Sequence, residues 1–261
     1  MSKGGTGGLP AGVRVGDVLD GTVLATTRSG AWEVALDAFP EGPRGEVGSS
    51  DLTWDFSRAR PEAEPGRRIA AAVTSAALRQ GRVRLSAAAT AHPELWAFLS
   101  SLASDQPLTG TVALIRDFGV FVALDDGPPH PSFPGVGFVT VPELSWSSLR
   151  RPEEAVRVGQ RVTCLFLQFD TTNGEARLSL RATAPDPFKD FADRTAVGDR
   201  LHGEVVGEVP FGVFVRLAPG IEGLIHVPGG TGRPALGEEV PVTVAEIDRA
   251  GRKLLLVLSS A

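Results

Sequence analysis

One spacing pattern recurs three times along the chain of 261 residues and constrains its fold more than any other feature. A Gly-x-Val triplet is followed, nine residues after its glycine, by a second glycine. Further along each unit, a third glycine precedes a leucine by 19 residues. Three offsets that recur together indicate three copies of one structural unit. In chain order, the four marker positions are Gly21, Gly110 and Gly203; Gly30, Gly119 and Gly212; Gly66, Gly159 and Gly237; and Leu85, Leu178 and Leu256.

Each unit alternates apolar residues with a period of two, which is typical of β-strands. In unit three, Val213 and Val215 flank Phe214, so the pattern predicts the valines on a buried face and the phenylalanine on the outer face. The chain has 31 glycines and 20 prolines, which favours many short strands joined by turns. About five strands in each unit of roughly 65 to 80 residues predict a small Greek-key barrel, the OB-fold.

We therefore expect an all-β chain of three tandem five-stranded OB-fold barrels joined by short helical linkers. The linkers have apolar residues at helical spacing, and Pro93 suits the first turn of one of them. The first residues are rich in glycine, which predicts disorder. The expected segments are a disordered N-terminus over 1–12, barrels over 13–90, 105–183 and 196–261, and linker helices over 91–104 and 184–195.

Composition excludes several classes of protein. Cys164 is the single cysteine, so neither an intramolecular disulfide nor a multi-cysteine zinc site can form. No nucleophile–base constellation, phosphate loop or metal-ligand spacing is present, so we expect no enzyme activity, no cofactor and no metal. No run approaches 18 apolar residues and the first residues lack a secretory signal, so we expect no membrane partner and a cytoplasmic location. Nothing in the sequence predicts an oligomer.

The charge balance limits how this chain could bind nucleic acid. There are 31 acidic and 26 basic residues, giving a net charge of −5, and no unit has a basic surplus. Bulk electrostatic attraction therefore cannot hold a polyanion on any one unit. A local aromatic face could bind weakly, and tandem linkage would raise the affinity through effective concentration.

The repeated units resemble the S1 RNA-binding domain family. The signature of that family combines Val-Gly-Asp, Gly-x-Val, Phe-Gly-x-Phe-Val, Gly-Leu-Val-His-Ile and an Asp-x-x-Gly-Arg turn. Unit three is the best match, unit two is next and unit one matches least. The junction from Asp186 to Asp199 is similar to the junction between tandem copies in the bacterial ribosomal protein S1 family. The matching segments of unit three are 197–199, 203–205, 211–215, 223–227 and 248–252.

The resemblance implies that an outer barrel face binds single-stranded RNA. Family members contact RNA through two aromatic residues on strand two, a histidine on strand three, and an aspartate and an arginine around the last turn. Base stacking on an exposed ring contributes about 1–3 kcal/mol per base. The matching residues are Phe211, Phe214, His226, Asp248 and Arg252 in unit three, and Phe118, Phe121 and Asp170 in unit two. A ring that fills the barrel interior instead is the structural alternative for each phenylalanine.

Units one and two depart from this pattern. In unit two, Thr140 replaces the histidine and Glu175 replaces the arginine, which implies a weakened site. Unit two also carries an insertion over 125–135, predicted to be a stiff loop on the barrel rim. In unit one, the contact positions hold Ser29, Trp32, Gly48 and Arg82, which puts RNA binding by that unit in doubt.

The four tryptophans carry separate predictions. Trp32 shares its strand face with Val34, which predicts a core position. Trp54 and Trp146 lie in the variable loops after strand three, where they could cap a barrel or extend a stacking surface. Trp96 lies on the first linker and is predicted to be a packing residue.

Two functions are compatible with these features. The first is a non-catalytic protein that binds single-stranded RNA, such as mRNA, in translation, with the ribosome as a further partner. The second is a protein-interaction scaffold, whose degenerate barrels dock on the ribosome or on another RNA-processing partner. The intact third unit favours the first function, and the degenerate first unit and acidic balance favour the second.

Overall fold

The computed structural model describes residues 10–75, 81–227 and 232–259, and within these ranges it contains three closed barrels of five strands each. This result confirms the predicted all-β class and the three tandem five-stranded barrels. Residues 1–9, most of the segment predicted to be disordered, lie outside the described ranges.

The strands follow the repeat. Barrel one has β1 (Val18–Thr26), β2 (Trp32–Leu36), β3 (Gly45–Val47), β4 (Arg68–Val73) and β5 (Val83–Ser86). Barrel two has β6 (Pro107–Arg116), β7 (Gly119–Leu124), β8 (Gly137–Thr140), β9 (Arg161–Asp170) and β10 (Glu175–Ser179). Barrel three has β11 (Arg200–Val209), β12 (Gly212–Ala218), β13 (Ile221–His226), β14 (Glu239–Asp248) and β15 (Lys253–Leu258).

All three barrels have the same strand order. The first strand pairs antiparallel with the second and the fourth, and the third and fifth strands are parallel neighbours. The Gly-x-Val glycine allows this closure, because a Cβ on Gly21, Gly110 or Gly203 would collide with a carbonyl oxygen of the facing strand. A bulge follows each triplet at the same place, which bends the first strand around the barrel.

In the described part of the chain, four short α-helices separate or border the barrels: α1 (Ala87–Ala91), α2 (Pro93–Ser101), α3 (Val141–Leu144) and α4 (Pro187–Arg194). Of these helices, α2 lies within the predicted linker over 91–104, whereas α1 begins before it and ends at Ala91, shortly before Pro93 starts α2. Ser86 caps α1 by accepting a hydrogen bond from the Ala89 backbone N–H at 3.1 Å. Asp186 caps α4 by accepting one from the Phe188 N–H at 2.9 Å.

The chain forms two compact units, one from the residues up to Thr140 with Val156–Leu178, the other from Val141–Ala155 with Ser179–Ala261. In the second unit, Phe188 and Ala192 of α4 join the buried core of barrel three. In the first unit, Trp32 lies in the core of barrel one with 4% of its surface exposed, which confirms its predicted position. No helix within the described residues is both long and apolar enough to span a membrane.

Candidate nucleic-acid interface

Barrel three has a groove of about 570 Å³ on its outer face. Four of the five residues that the sequence indicated for this barrel line it together: Phe211, Phe214, Asp248 and Arg252. The remaining lining residues are Glu222, Leu224, Glu246, Lys253, Leu254 and Leu255. Strand pairing explains the convergence, because β12, β13 and β15 are adjacent and their outward side chains share one surface.

The two phenylalanines of this groove are accessible for different reasons. Phe211 lies in the turn before β12 and is 49% exposed. Phe214 lies on β12 between Val213 and Val215, which are both fully buried, and its ring is half-buried on the opposite face. The alternation of the strand therefore places Phe214 outside the barrel, as the sequence predicts.

His226 extends the aromatic surface beside the groove. It is the last residue of β13 and pairs in register with Gly212, at the start of β12. Its exposed ring is stacked against Phe211, with centroids 6.4 Å apart and planes inclined by 28°. These two rings and Phe214 therefore offer flat surfaces to bases of a single strand.

The last turn fixes the two charged residues of the predicted site. Asp248 accepts a hydrogen bond from the Gly251 N–H at 2.8 Å, which closes the turn between β14 and β15. Arg252 follows with a left-handed φ of 50°. Its guanidinium donates to Asp186 and lies 4.5 Å from the ring centroid of Trp146. Arg252, a predicted RNA contact, is thus already held by a carboxylate and a ring.

Lys253 is a basic residue of the groove that the sequence argument missed. It begins β15 opposite Asp248, and it projects on the same face as Leu255, which also lines the groove. The period-two alternation of Lys253 and Leu255 with the buried Leu254 and Leu256 is the signal that could have found it. The groove holds three acidic and two basic side chains, so stacking rather than net charge must dominate any binding there.

Barrel two presents its predicted rings differently. Phe118 is 62% exposed, but Phe121 is only 5% exposed. Phe121 is covered by Phe133 from the insertion and by Phe138 of β8, each with its ring centroid 4.9 Å away. The expectation that Phe121 presents an open stacking surface is therefore wrong, since the insertion folds over it. Phe133 and Phe138 are the aromatic residues that the sequence argument did not include.

The charged residues of barrel two form a compact cluster. Asp170 accepts hydrogen bonds from Arg177 at 2.6 and 3.1 Å and from Asn173 at 3.0 Å. These contacts hold Asp170 at the turn between β9 and β10. Asp170 does not line the pocket that the phenylalanines of this barrel form. Glu175 is buried, and this burial raises the pKa of its carboxyl to about 7, although Arg177 opposes the shift.

Barrel one carries ion pairs at its arginine position and beside it. Arg82, at the arginine position, lies 3.2 Å from Glu46 and 3.6 Å from Glu33. The neighbouring Arg84 pairs with Asp51 at 2.9 Å. These guanidinium groups are therefore paired within the barrel, and Trp32 is buried.

The loop tryptophans have packing roles. Trp54 is fully buried, and its indole N–H donates to the Thr171 carbonyl oxygen at 2.9 Å. Trp96 stacks against Trp54, with centroids 6.5 Å apart, which confirms its predicted packing role. Trp146 is half-buried, with the guanidinium carbons of Arg181 and Arg252 at 4.6 and 4.5 Å from its ring centroid.

The family model that matches this sequence is described as the S1 RNA binding domain, and it covers residues 101–181 and 194–259. The two matched segments are barrels two and three, and together they make up more than half of the chain. The chain belongs to the S1 RNA-binding domain family. Barrel one lies outside both matches, in agreement with Ser29 at its first ring position and the buried Trp32 at its second.

Relatives with S1 domains include ribosomal proteins. The small ribosomal subunit protein bS1 of Mycobacterium tuberculosis is 38% identical over 173 residues, covering 63% of this chain and 34% of that protein. The protein of the same name from Leuconostoc lactis is 35% identical over 217 residues, covering 81% and 47%. The chain thus spans less than half the length of these two relatives.

Among solved structures, the solution structure of GSP13 from Bacillus subtilis is similar to one part of the chain. It is 28% identical in sequence, the match covers 37% of this chain and 74% of the GSP13 chain, and the TM-score is 0.28.

Of the three S1-type barrels, only the third has all five S1 contact positions filled.

Proposed function

We propose that this chain binds single-stranded RNA, with barrel three as its principal site. One observation carries the proposal: four S1 contact residues line a single groove of about 570 Å³, and the fifth, His226, stacks on Phe211 at its edge. Exposed rings bind unpaired bases because every base has an apolar face, whereas bases in a duplex are already stacked.

The mode of binding follows from the charges in the groove. Arg252 and Lys253 can contact phosphates, but Glu222, Glu246 and Asp248 lie among the same lining residues. We therefore expect weak binding by barrel three alone, with a shallow salt dependence and a strong dependence on the rings. Linkage to barrel two would raise the affinity through effective concentration.

The cellular role that we propose is non-catalytic and belongs to translation. The relatives at 35–38% identity are named small ribosomal subunit proteins. On that basis we propose mRNA as the ligand, the ribosome as a further partner and the cytoplasm as the location. We also propose domain limits of 13–90, 105–183 and 196–261 for the three barrels, with 1–12 as a tail.

The test uses the full chain and a short single-stranded RNA at two salt concentrations. The triple variant Phe211→Ala, Phe214→Ala, His226→Ala should lose at least tenfold in affinity, since each stacked base contributes about 1–3 kcal/mol. The matched control is Leu236→Ala with Val197→Ala, two residues of barrel three that are 57% and 64% exposed and lie outside the groove.

Two results would refute the proposal. One is the absence of RNA binding by the unmodified chain at low salt. The other is equal affinity of the triple variant and the unmodified chain, while the control variant also binds normally. In the first case, the docking of degenerate barrels on a protein partner becomes the favoured function.

A further inference from the structure

Barrel two contains a buried carboxylate that the proposed function does not use. Glu175 begins β10 and is 3% exposed, yet it lines a pocket of about 440 Å³. Within the described ranges, no side chain or backbone group donates a hydrogen bond to its carboxylate. The other residues lining the pocket are Phe118, Phe121, Phe133, Phe138, Thr140, Asn173 and Arg177.

Arg177, the arginine beside Glu175, forms its hydrogen bonds with Asp170 instead. Arg177 donates two hydrogen bonds to Asp170, whereas its Nη2 lies 3.6 Å from Glu175 Oε2, beyond hydrogen-bond reach. The guanidinium carbon also lies 4.7 Å from the ring centroid of Phe138. A buried carboxylate without a hydrogen-bond donor is unfavourable unless it takes up a proton or a ligand supplies donors, and the second alternative points to a ligand with N–H groups.

The insertion over 125–135 builds one wall of this pocket. His130 Nε2 donates to the Asn173 carbonyl oxygen at 2.8 Å, and its Nδ1 accepts from the backbone N–H of Phe133 at 3.0 Å. The His130 ring also stacks on Phe133, with centroids 4.6 Å apart. The insertion is therefore anchored to the turn that precedes Glu175, and the aromatic wall is preformed.

We propose that this pocket binds one guanine base of a single-stranded RNA, with Glu175 reading its Watson–Crick edge. Guanine presents two adjacent donors there, N1–H and the N2 amino group, which match the two oxygens of a carboxylate. Adenine, cytosine and uracil each place an acceptor next to their donor, and that acceptor would face the negative charge. This inference rests on the proposed RNA binding and assigns a base preference to barrel two.

The remaining features of the pocket suit the same base. Thr140 lines the pocket and carries a hydroxyl group that can donate to guanine O6. Phe118 is 62% exposed and lies 5.9 Å from Phe138, centroid to centroid, so it offers a face for stacking.

The experiment compares uridine octamers that carry one central guanine, inosine or adenine, bound to the full chain at pH 8. We expect the guanine oligomer to bind about tenfold more tightly than the adenine oligomer, as is typical of a bidentate base contact. Inosine lacks the N2 amino group and should lie between them. Glu175→Gln should remove the guanine preference, whereas the control Glu153→Gln, at an exposed glutamate that lines neither this pocket nor the barrel-three groove, should keep it.

The outcomes separate the two proposals. Binding of all three oligomers with equal affinity would overturn the guanine site and leave RNA binding intact. Binding of none of them would overturn the proposed function and this inference with it. The comparison of guanine with inosine needs no variant, so the test stands even where Glu175→Gln fails to fold. Retention of the preference by a folded Glu175→Gln protein would also overturn the assignment of Glu175.

Discussion

Arg252 donates two hydrogen bonds to Asp186, 66 residues earlier in the chain, with Nε 2.7 Å from Oδ2 and Nη2 2.8 Å from Oδ1. The same carboxylate caps α4. An arginine at a position that S1 domains use for RNA is therefore paired with the linker helix of its own barrel. A phosphate that approaches Arg252 must compete with this carboxylate.

Removal of that competing charge should strengthen RNA binding. Asp186→Asn retains an oxygen for the α4 cap but releases the charge of Arg252. We expect the affinity to rise about threefold at low salt and the salt slope to steepen by about one, the value for one additional phosphate contact. The measurement is a salt titration of RNA affinity.

The matched control for that prediction is Asp193→Asn. Asp193 pairs with Arg249, an exposed residue that does not line the groove. Its substitution should leave both affinity and salt slope unchanged. An equal gain in the two variants would show that the overall charge, rather than the Asp186–Arg252 pair, controls binding.

Glu175 should make the stability of barrel two depend on pH. Burial raises the pKa of its carboxyl from 4.5 to about 7 in the folded chain. The folded state therefore keeps a proton that the unfolded state releases between these values, so the free energy of unfolding falls as pH rises through this window. Over the whole window, the free energy of unfolding falls by about 3 kcal/mol. Below pH 4.5 both states are protonated and the contribution is fully favourable.

Glu175→Gln provides the test of this pH dependence, because glutamine stays neutral. The variant should gain about 3 kcal/mol relative to the unmodified chain between pH 4.5 and pH 8. Urea unfolding at pH 4.5, 6 and 8 measures this difference. A stability difference that stays constant across the three pH values would contradict a raised Glu175 pKa.

Trp54 should be a principal packing residue of the first unit. It is fully buried between Trp96, His92 and Phe169, and it donates a hydrogen bond to Thr171. Trp54→Ala should lower the free energy of unfolding by about 3–5 kcal/mol, as large-to-small core substitutions do. Phe56→Ala is the control: this ring is 40% exposed, so we expect a loss below about 1 kcal/mol.

A second substitution tests the same contact from the other side. Gly174 has a φ of 70°, and a Cβ there would lie 2.6 Å from the Trp54 ring. Gly174→Ala should therefore be destabilising through both the backbone conformation and the clash. Chemical denaturation of both variants checks the prediction, and a Gly174→Ala protein as stable as the unmodified chain would contradict the position of Trp54.

Cys164 should be unreactive in the folded protein. It is the single cysteine, it is 1% exposed, and burial raises the pKa of its thiol from 9.0 to about 11. At pH 8 the thiolate fraction falls about 100-fold, in addition to the loss of access. A thiol reagent should label one equivalent only in denaturant. Labelling within seconds in native buffer would show that β9 opens readily.

The repeat spacing was sufficient to predict the fold because closure of a small barrel has strict local requirements. A Cβ on Gly110 or Gly203 would collide with the facing strand. The spacing of these glycines along the sequence therefore indicates where two strands pass close to each other. Alternation around Phe214 likewise predicted its outward face, since the side-chain period of a strand is a local property.

The candidate sites were only partly predictable for the opposite reason. Phe121 has the same alternation as Phe214, yet it is buried because Phe133, from the insertion over 125–135, folds over it. Arg252 is paired with Asp186 across 66 residues, and no spacing rule relates these two positions. Contacts of this kind depend on which loops meet after the strands have closed.

By itself, the sequence determined the number of barrels, the strands in each and the family to which they belong, because glycine positions and apolar alternation act over a few residues. Only the tertiary structure decided which rings are open, which cations are free and where Glu175 lies without a donor. Those properties arise from neighbours distant in sequence, so they become defined when loops and linker helices pack on the completed barrels.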